Sequence, residues 1–299
     1  MTDRGVLSAR VRASLLAGAL GDAWGYAYEG RSGPLLAAFP DTPRLSDDTW
    51  LTMATCEAIV GARGRVAPEL IAETFRRWFE SGRFTGLGSS TLKALRDLAA
   101  GAHWATAGAR GEFAAGAGAA MRIAPLAFLL DPTQSDDRVL IRDVTRVTHH
   151  SEEAYAGALA VVIAIRLCAG SHQMPSGFLG AVAQTLPDTR VRDRLLELSA
   201  DGDHPDCIAD RFGSSGYVVE AVPLALYIAV HEAGRGLEAV VKTAVSIGGD
   251  TDTIASIAGQ IAGASGAMVP NALLERVPEI EHVVDIVNRF AALIDLASP

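Results

Sequence analysis

Apolar residues recur at three- and four-residue spacings along most of this chain, and that spacing is typical of amphipathic α-helices. The segments that carry it are 7–26, 49–61, 68–79, 90–103, 119–130, 137–148, 152–169, 217–232, 237–247, 253–268 and 280–296. No run alternates apolar and polar residues between Asn-Gly or Asp-Gly turns, so no strand is predicted. Helices must therefore supply the scaffold.

The composition favours helices that pack closely together. Glycine occurs 30 times, while aromatic residues make up only 6% of the chain. Segments 154–168 and 253–264 are apolar nearly all round, as central helices of a large bundle must be. No change in composition marks a boundary within the 299 residues. We expect an all-α fold: one compact orthogonal bundle of many helices, forming a single domain over residues 1–299.

Charge and cysteine content limit the partners and the cellular compartment that we expect for this protein. A net charge of −9 argues against a general nucleic-acid or membrane surface. The most apolar run, 154–168, is shorter than the roughly 20 residues that span a bilayer. The three cysteines form no CxxC pair, so neither a zinc ribbon nor a disulfide framework is indicated. We expect a cytoplasmic protein without a membrane segment, and a monomer by default.

Two helix starts carry paired acids. Asp47 and Asp48 precede the helix predicted from residue 49, and Asp250 and Asp252 precede the one predicted from 253. Taken singly, either pair has an ordinary structural explanation, because the helix dipole favours a carboxylate at a helix N-terminus by roughly 0.3–1 kcal/mol. Ser46 or Asp47 can also serve as an N-cap.

Together the two pairs indicate a metal site. If both helix starts meet, four carboxylates converge, and they would repel one another without a compensating positive charge. Two divalent cations would balance them, and hard oxygen ligands favour Mg²⁺, with Mn²⁺ possible, over Zn²⁺. Threonine hydroxyls at 49, 251 and 253 add further oxygens. Gly248 and Gly249 would let the backbone approach a ligand closely.

Six motifs extend this interpretation. GALGDAWGYAYEG, SDDTWLTM, GAGAAMRIAPLAF, VTHHSEEA, SSGYVVEAVPLAL and GGDTDTIASIAGQIAGA follow one another between residue 18 and about 264. In this order they resemble the ADP-ribosylglycohydrolase family, which includes the dinitrogenase reductase-activating glycohydrolase and its eukaryotic relatives. The resemblance implies an all-helical fold with two Mg²⁺ or Mn²⁺ ions at the floor of a cleft that binds ADP-ribose.

The resemblance also implies roles for individual residues. The metal ligands it implies are Ser46, Asp47, Asp48, Asp250, Asp252 and Thr253. Glu29 matches a glutamate near the scissile bond, which acts as a general acid or base or as a mobile gate. Asp48 and Asp252 are the metal-binding aspartates that would take a proton from the attacking water. For Asp22, a structural hydrogen-bonding role is as open as a functional one.

Substrate contacts follow from the same resemblance. The loop 116–122 is similar to the family's diphosphate-binding loop, in which small residues let backbone N–H groups reach phosphate oxygens. The substrate-binding residues it implies are Gly116, Gly118, Ala119, Met121, His149, Tyr217 and Gly249. Ala117 stands where the family usually has asparagine, so this chain lacks a side-chain hydrogen-bonding group there.

The predicted activity is hydrolysis of the bond between ADP-ribose and an acceptor, with release of ADP-ribose. The acceptor stays open: a protein side chain, nucleic acid or a small molecule would each serve. A non-catalytic ADP-ribose-binding or structural relative of the same fold is the alternative. A helical metal-dependent phosphohydrolase built on His149 and His150 fits less well, because no His-Asp pair follows them.

Overall fold

A computed structural model describes residues 3–171 and 174–297 of the chain. Its helices are α1 Asp3–Gly25, α2 Asp47–Gly61, α3 Pro68–Glu80, α4 Ser89–Ala99, α5 Ser135–Arg146, α6 Glu152–Ala169, α7 Phe178–Ala183, α8 Arg190–Ser199, α9 Pro205–Phe212, α10 Val218–His231, α11 Leu237–Ser246, α12 Thr251–Ser265, α13 Asn271–Leu274 and α14 Ile280–Ala297. Two short strands, β1 Ala109–Arg110 and β2 His149–His150, pair in parallel.

The helical prediction is confirmed, since this two-residue pair is the only sheet within the described residues. In the same part of the chain, no helix has both the length and the apolar character needed to cross a membrane. The extent of the domain, 1–299, stays a prediction.

Helices α6 and α12 lie at the centre, as their uniformly apolar sequences predict. Every residue of α12 from Thr251 to Ala264 is buried. Helix α6 is buried from Ala154 to Ile165. Because α12 is surrounded by protein, the acids at its start must lie inside the molecule as well.

Helices α1 and α12 are in backbone contact along their length, and glycines make this possible. A Cβ added at Gly21 would lie 2.3 Å from the Ala255 carbonyl oxygen. One at Gly263 would lie 2.2 Å from the Ala13 carbonyl oxygen. No other residue type fits at such distances, so the glycines of these two motifs fix the separation of the helices.

The prediction of one helix over residues 119–130 is wrong. This segment forms two short 3₁₀ turns, Ala117–Ala119 and Ala124–Phe128. Pro125 explains part of the break, because it lacks an N–H group and disfavours the helical conformation in the residue before it.

The segment 199–216 contains no predicted helix, and we expected it to be irregular. In the structure it contains α9, with Pro205 in the first turn and the His204 side chain accepting a hydrogen bond from the Asp206 N–H (3.4 Å). A proline in the first turn followed by an acid is a recognised helix start. Helix α8, capped by Thr189, was also missed.

Candidate active site and metal centre

A cleft of about 450 Å³ opens where α2 and α12 begin. Of the residues predicted to form the site, those that line it are Glu29, Asp47, Asp48, Gly116, Gly118, Met121, His149, Gly249, Asp250, Asp252 and Thr253. Ser46, Ala119 and Tyr217 lie outside the lining. The chain thus brings together acids that stand more than two hundred residues apart in sequence.

The start of α2 is held by a carboxylate from α1. Asp22, fully buried, accepts hydrogen bonds from the Thr49 hydroxyl (2.5 Å) and from the backbone N–H groups of Ser46 (3.0 Å) and Thr49 (3.2 Å). The Ser46 hydroxyl accepts from the Asp48 N–H at 3.1 Å, as an N-cap does. Burial raises the pKa of Asp22 to about 6 despite these bonds. Asp22 therefore acts structurally here.

The start of α12 meets the start of α2 directly. The Thr253 hydroxyl donates to the Asp48 carboxylate at 3.3 Å. The Thr251 hydroxyl donates to the Gly25 carbonyl oxygen at 2.8 Å and so joins α12 to the end of α1. The predicted convergence of the two helix starts is therefore present.

Glu29 reaches the same place by way of a loop after α1. The Gly30 N–H donates to the Gly249 carbonyl oxygen, and the Gly249 N–H donates to that of Arg31, both at 2.8 Å. Gly249 has φ +81°, and a Cβ there would lie 2.2 Å from the Ser214 carbonyl oxygen, so only glycine fits.

This arrangement places three carboxylates around one point. One ligand oxygen from each of Glu29, Asp250 and Asp252 lies within 4.8 Å of the others. Such a set can hold a cation, and all three residues line the cleft.

In the absence of a cation, the ionised acids of the cleft destabilise one another. Burial is the first cause that raises the pKa values of Asp47, Asp48, Asp250 and Asp252. Neighbouring carboxylates add to the effect at Asp48 and Asp252, and Asp250 adds to it at Glu29. Among the described residues that line the cleft there is no lysine or arginine.

These residues fit divalent cations. The Asp48 Oδ1 atom is buried and has no hydrogen-bond partner among the described residues. Asp252, Asp22, Asp47 and Asp250 all raise the pKa of the same carboxyl, after burial. Carboxylate and hydroxyl oxygens, without thiols, are the donors that Mg²⁺ and Mn²⁺ prefer. The four aspartates and Thr253 could hold such ions. The Ser46 hydroxyl also donates to Asp48 Oδ2 at 3.2 Å, so it is already engaged with its own helix.

The turn 116–118 forms another wall of the cleft. Gly116 and Tyr217 form an isolated antiparallel β-bridge, and the Ala117 N–H donates to the Gly216 carbonyl oxygen at 2.9 Å. The His149 ring packs against this turn, since a Cβ at Gly118 would lie 2.9 Å from its Cε1 atom. Small residues here keep the turn against the histidine and leave the cleft open.

Two predicted substrate residues lie elsewhere. Ala119 is fully buried in the protein interior. The Tyr217 ring lies 5.8 Å from the Arg190 guanidinium. Neither of them lines the cleft, and their proposed contacts with substrate stay predictions.

Sequence reasoning missed further residues that line the cleft. They are Gly86, Gly88, Ser89, Ser90 and Thr91 near the start of α4, and Ser215 and Gly216 before α10. The signal was available in GLGSST, residues 86–91, where glycines run into hydroxyl residues at the first turn of α4. Hydroxyls and backbone N–H groups at a helix start suit anionic oxygens.

The fold and the site define a helical protein with a cleft that is lined by carboxylates and bordered by a turn of small residues. The chain belongs to the ADP-ribosylglycohydrolase family, whose model, described as ADP-ribosylglycohydrolase, matches residues 3–299.

Similar proteins agree with this assignment. An uncharacterized protein of Archaeoglobus fulgidus is 30% identical over 83% of this chain and 80% of its own. The ADP-ribosylhydrolase ARH3 of Danio rerio is 27% identical over 87% of this chain and 83% of its own. A solved structure titled ADP-ribosylglycohydrolase-related protein complex shares the fold, with a TM-score of 0.72, 23% identity and coverage of 98% of this chain and 99% of its own.

Proposed function

We propose that this protein hydrolyses the glycosidic bond between ADP-ribose and an acceptor, releases ADP-ribose, and depends on two divalent cations, with Mg²⁺ favoured. The acceptor is a protein side chain, a nucleic acid or a small molecule. Family membership supports hydrolysis of ADP-ribosyl bonds in general, and the cleft supports the dependence on cations.

One observation carries the proposal. Five carboxylates, those of Glu29, Asp47, Asp48, Asp250 and Asp252, line a single cleft whose lining includes no lysine or arginine among the described residues. Asp47, Asp48 and Asp252 are buried, Asp250 is half-buried and Glu29 is exposed. Burying like charges together, as at the three buried aspartates, is strongly unfavourable unless a cation compensates them. A protein that needed these acids only as helix caps would not crowd them around one cleft.

The same lining suits ADP-ribose. The volume of about 450 Å³ lies within the range typical of small-ligand pockets. The lining offers a diphosphate no guanidinium or ammonium group. The backbone N–H groups of Gly116 and Gly118 and the hydroxyls of Ser89, Ser90 and Thr91 are donors that it could use. The ribose end would then face the acidic floor.

Bound divalent cations would supply charge compensation and lower the pKa of water at the floor. Asp48 and Asp252, at the two helix starts, would hold or accept a proton of the attacking water. Glu29, whose pKa is raised by burial and by Asp250, is the group suited to deliver a proton to the leaving atom. Glycosidic cleavage requires such a proton donor.

The experiment is release of free ADP-ribose from a panel of substrates, with Mg²⁺ and after chelation. The panel holds arginine-linked and serine-linked ADP-ribosyl protein, ADP-ribosylated DNA and RNA, and O-acetyl-ADP-ribose. We expect Mg²⁺-dependent release from at least one class, and loss of it in Asp252→Asn.

Asp136→Asn is the matched control. Asp136 occupies the same second position of its helix, α5, as Asp252 does in α12, but it is exposed and outside the cleft. Equal activity with and without the metal would contradict the cation dependence. Binding of ADP-ribose without release from any class would favour the non-catalytic alternative.

A further inference from the structure

A short chain of hydrogen bonds runs from a buried arginine to the cleft. Arg122 Nη2 donates to the Thr148 hydroxyl at 2.8 Å, and that hydroxyl oxygen lies 2.8 Å from Nδ1 of His149. All three residues are buried. His149 lines the cleft, whereas Arg122 and Thr148 do not.

The chain of bonds fixes where the imidazole proton sits. Arg122 can only donate, so the Thr148 oxygen accepts from it. The hydroxyl proton then needs an acceptor, and among the described residues the one other recorded partner of this oxygen is Nδ1 of His149. If Nδ1 carried the proton instead, a fully buried hydroxyl would be left without an acceptor, at a cost of about 1–3 kcal/mol.

We propose that Arg122 and Thr148 are positioning residues that lock His149 in the neutral form with its proton on Nε2, so that it presents a fixed hydrogen-bond donor to a substrate oxygen in the cleft. This inference rests on the proposed function for the identity of that oxygen. The ligand class is an anionic phosphoryl oxygen of the ADP-ribosyl group.

The position of Nε2 supports this role. A Cβ added at Gly116 or at Gly118 would lie 3.3 Å from Nε2, so this atom borders the turn that forms the cleft wall. Within the described part of the chain, no hydrogen-bond partner of Nε2 is present. The donor therefore remains available beside the turn 116–118, at the edge of the cleft that His149 lines.

The arginine has few competing interactions. Arg122 Nη2 also donates to the Val144 carbonyl oxygen (3.2 Å), and the guanidinium lies 4.9 Å from the Phe75 ring centroid. Its Nε and Nη1 atoms have no hydrogen-bond partner in the part of the chain that the structure describes. Within the described residues, the Thr148 hydroxyl and the Val144 carbonyl oxygen are therefore the hydrogen-bond acceptors of Arg122. Burial first, then the positive charge of Arg122, lowers the pKa of His149 to about 3, in agreement with a neutral ring.

Nitrogen-15 NMR of the histidine side chains in the full-length protein tests the assignment. The His149 signals are identified by their loss in His149→Gln. We expect one neutral tautomer with the proton on Nε2 throughout pH 5–8. In Thr148→Val, the Nδ1-protonated form of His149 should appear beside the Nε2-protonated form or replace it. Thr148→Ser should keep the wild-type pattern.

Thr145→Val is the matched control for a lost buried hydroxyl. Thr145 is equally buried, but its hydroxyl donates to the Ile141 carbonyl oxygen at 2.9 Å and has no recorded contact with His149. Its His149 signals should match wild type. An Nδ1-protonated or cationic His149 in wild type, or a Thr148→Val spectrum identical to wild type, would overturn the proposal.

Binding of ADP-ribose, measured by calorimetry, tests the consequence. Glutamine can place an N–H donor near the position of Nε2, so His149→Gln should bind ADP-ribose more tightly than His149→Phe. Phenylalanine keeps the ring but loses the donor, so His149→Phe should bind about 10- to 100-fold more weakly. Equal binding by both variants would overturn the donor role. A wild-type protein that binds no ADP-ribose but shows the expected tautomer would contradict the proposed function and support the positioning role.

Discussion

The backbone of Gly25, at the end of α1, lies against that of Asp252 at the start of α12: a Cβ at position 25 would stand 2.5 Å from the Asp252 Cα atom. The packing of α1 on α12 therefore sets the position of one of the cleft acids. We therefore expect a change at this contact to affect both the stability of the fold and the binding of a cation by Asp252.

Gly25→Ala should damage both properties. The added methyl group would force α12 away, and such overpacking costs typically about 1–3 kcal/mol of unfolding free energy. Since Asp252 would move with the helix, we expect Mg²⁺ affinity to fall about 10- to 100-fold, as when groups that orient metal ligands are lost. Thermal unfolding and a Mg²⁺ titration by calorimetry measure the two effects.

Gly263→Ala is the control at the far end of the same helix pair, where a Cβ would lie 2.2 Å from the Ala13 carbonyl oxygen. It should cost comparable stability and leave Mg²⁺ affinity near wild type. Equal loss of Mg²⁺ affinity in both variants would mean that the contact at Gly25 has no special influence on the site.

Without metal, the ionisation of Asp252 should lower the free energy of unfolding of the wild-type protein as the pH rises. Burial, then Asp250, raises the folded-state pKa of Asp252 well above its unfolded value near 3.8. The folded state therefore binds this proton more tightly. The resulting stability is complete below about pH 4 and is lost as the pH rises towards the folded pKa.

Asp252→Asn removes this titration. In the presence of a chelator, its melting temperature should exceed that of wild type by an amount that grows from pH 4 to pH 7. With saturating Mg²⁺ the order should reverse, because only wild type keeps the full ligand set and binding stabilises the folded state. If Asp252→Asn were less stable than wild type at pH 7 in the presence of chelator, burial of this carboxylate would not be unfavourable and the prediction would be wrong.

Glu29→Gln should lower kcat by about 10²–10⁴-fold, the usual contribution of a general acid. The amide keeps the size of the side chain, so ADP-ribose affinity should change far less than kcat. Steady-state kinetics and calorimetry on the same preparation separate the two effects. Glu275→Gln, at an exposed position outside the cleft, is the control and should behave as wild type. A normal kcat in Glu29→Gln would exclude the proton-donor role.

Asp22→Ala should weaken Mg²⁺ binding although Asp22 does not line the cleft. Its carboxylate accepts bonds from both Ser46 and Thr49, and the loss of a cap typically costs about 0.5–2 kcal/mol. The start of α2 would loosen, and Asp47 and Asp48 with it. Asp22→Asn keeps one acceptor oxygen and should show a smaller loss, measured by the same titration. Unchanged Mg²⁺ affinity in Asp22→Ala would show that the start of α2 holds its shape unaided.

Local patterns were sufficient for much of the fold. The spacing of apolar residues predicted α1, α2, α3, α6, α10, α11 and α14 close to their observed limits. It failed over 119–130, where Pro125 and the hydrogen bond between Ala117 and Gly216 replace regular helix with short turns. Periodicity reports which face of a segment is apolar, and it carries no information about a distant backbone partner.

The sequence by itself determined that acids stand at two helix starts, that glycines accompany them, and that the helices around them are apolar. Only the tertiary structure decided that Glu29 reaches Asp250, that Asp22 caps α2, and that the start of α4 forms a wall of the cleft. The physical reason is distance along the chain. Hydrogen bonds such as Gly30–Gly249 and Thr253–Asp48 form only after α1 and α12 pack together.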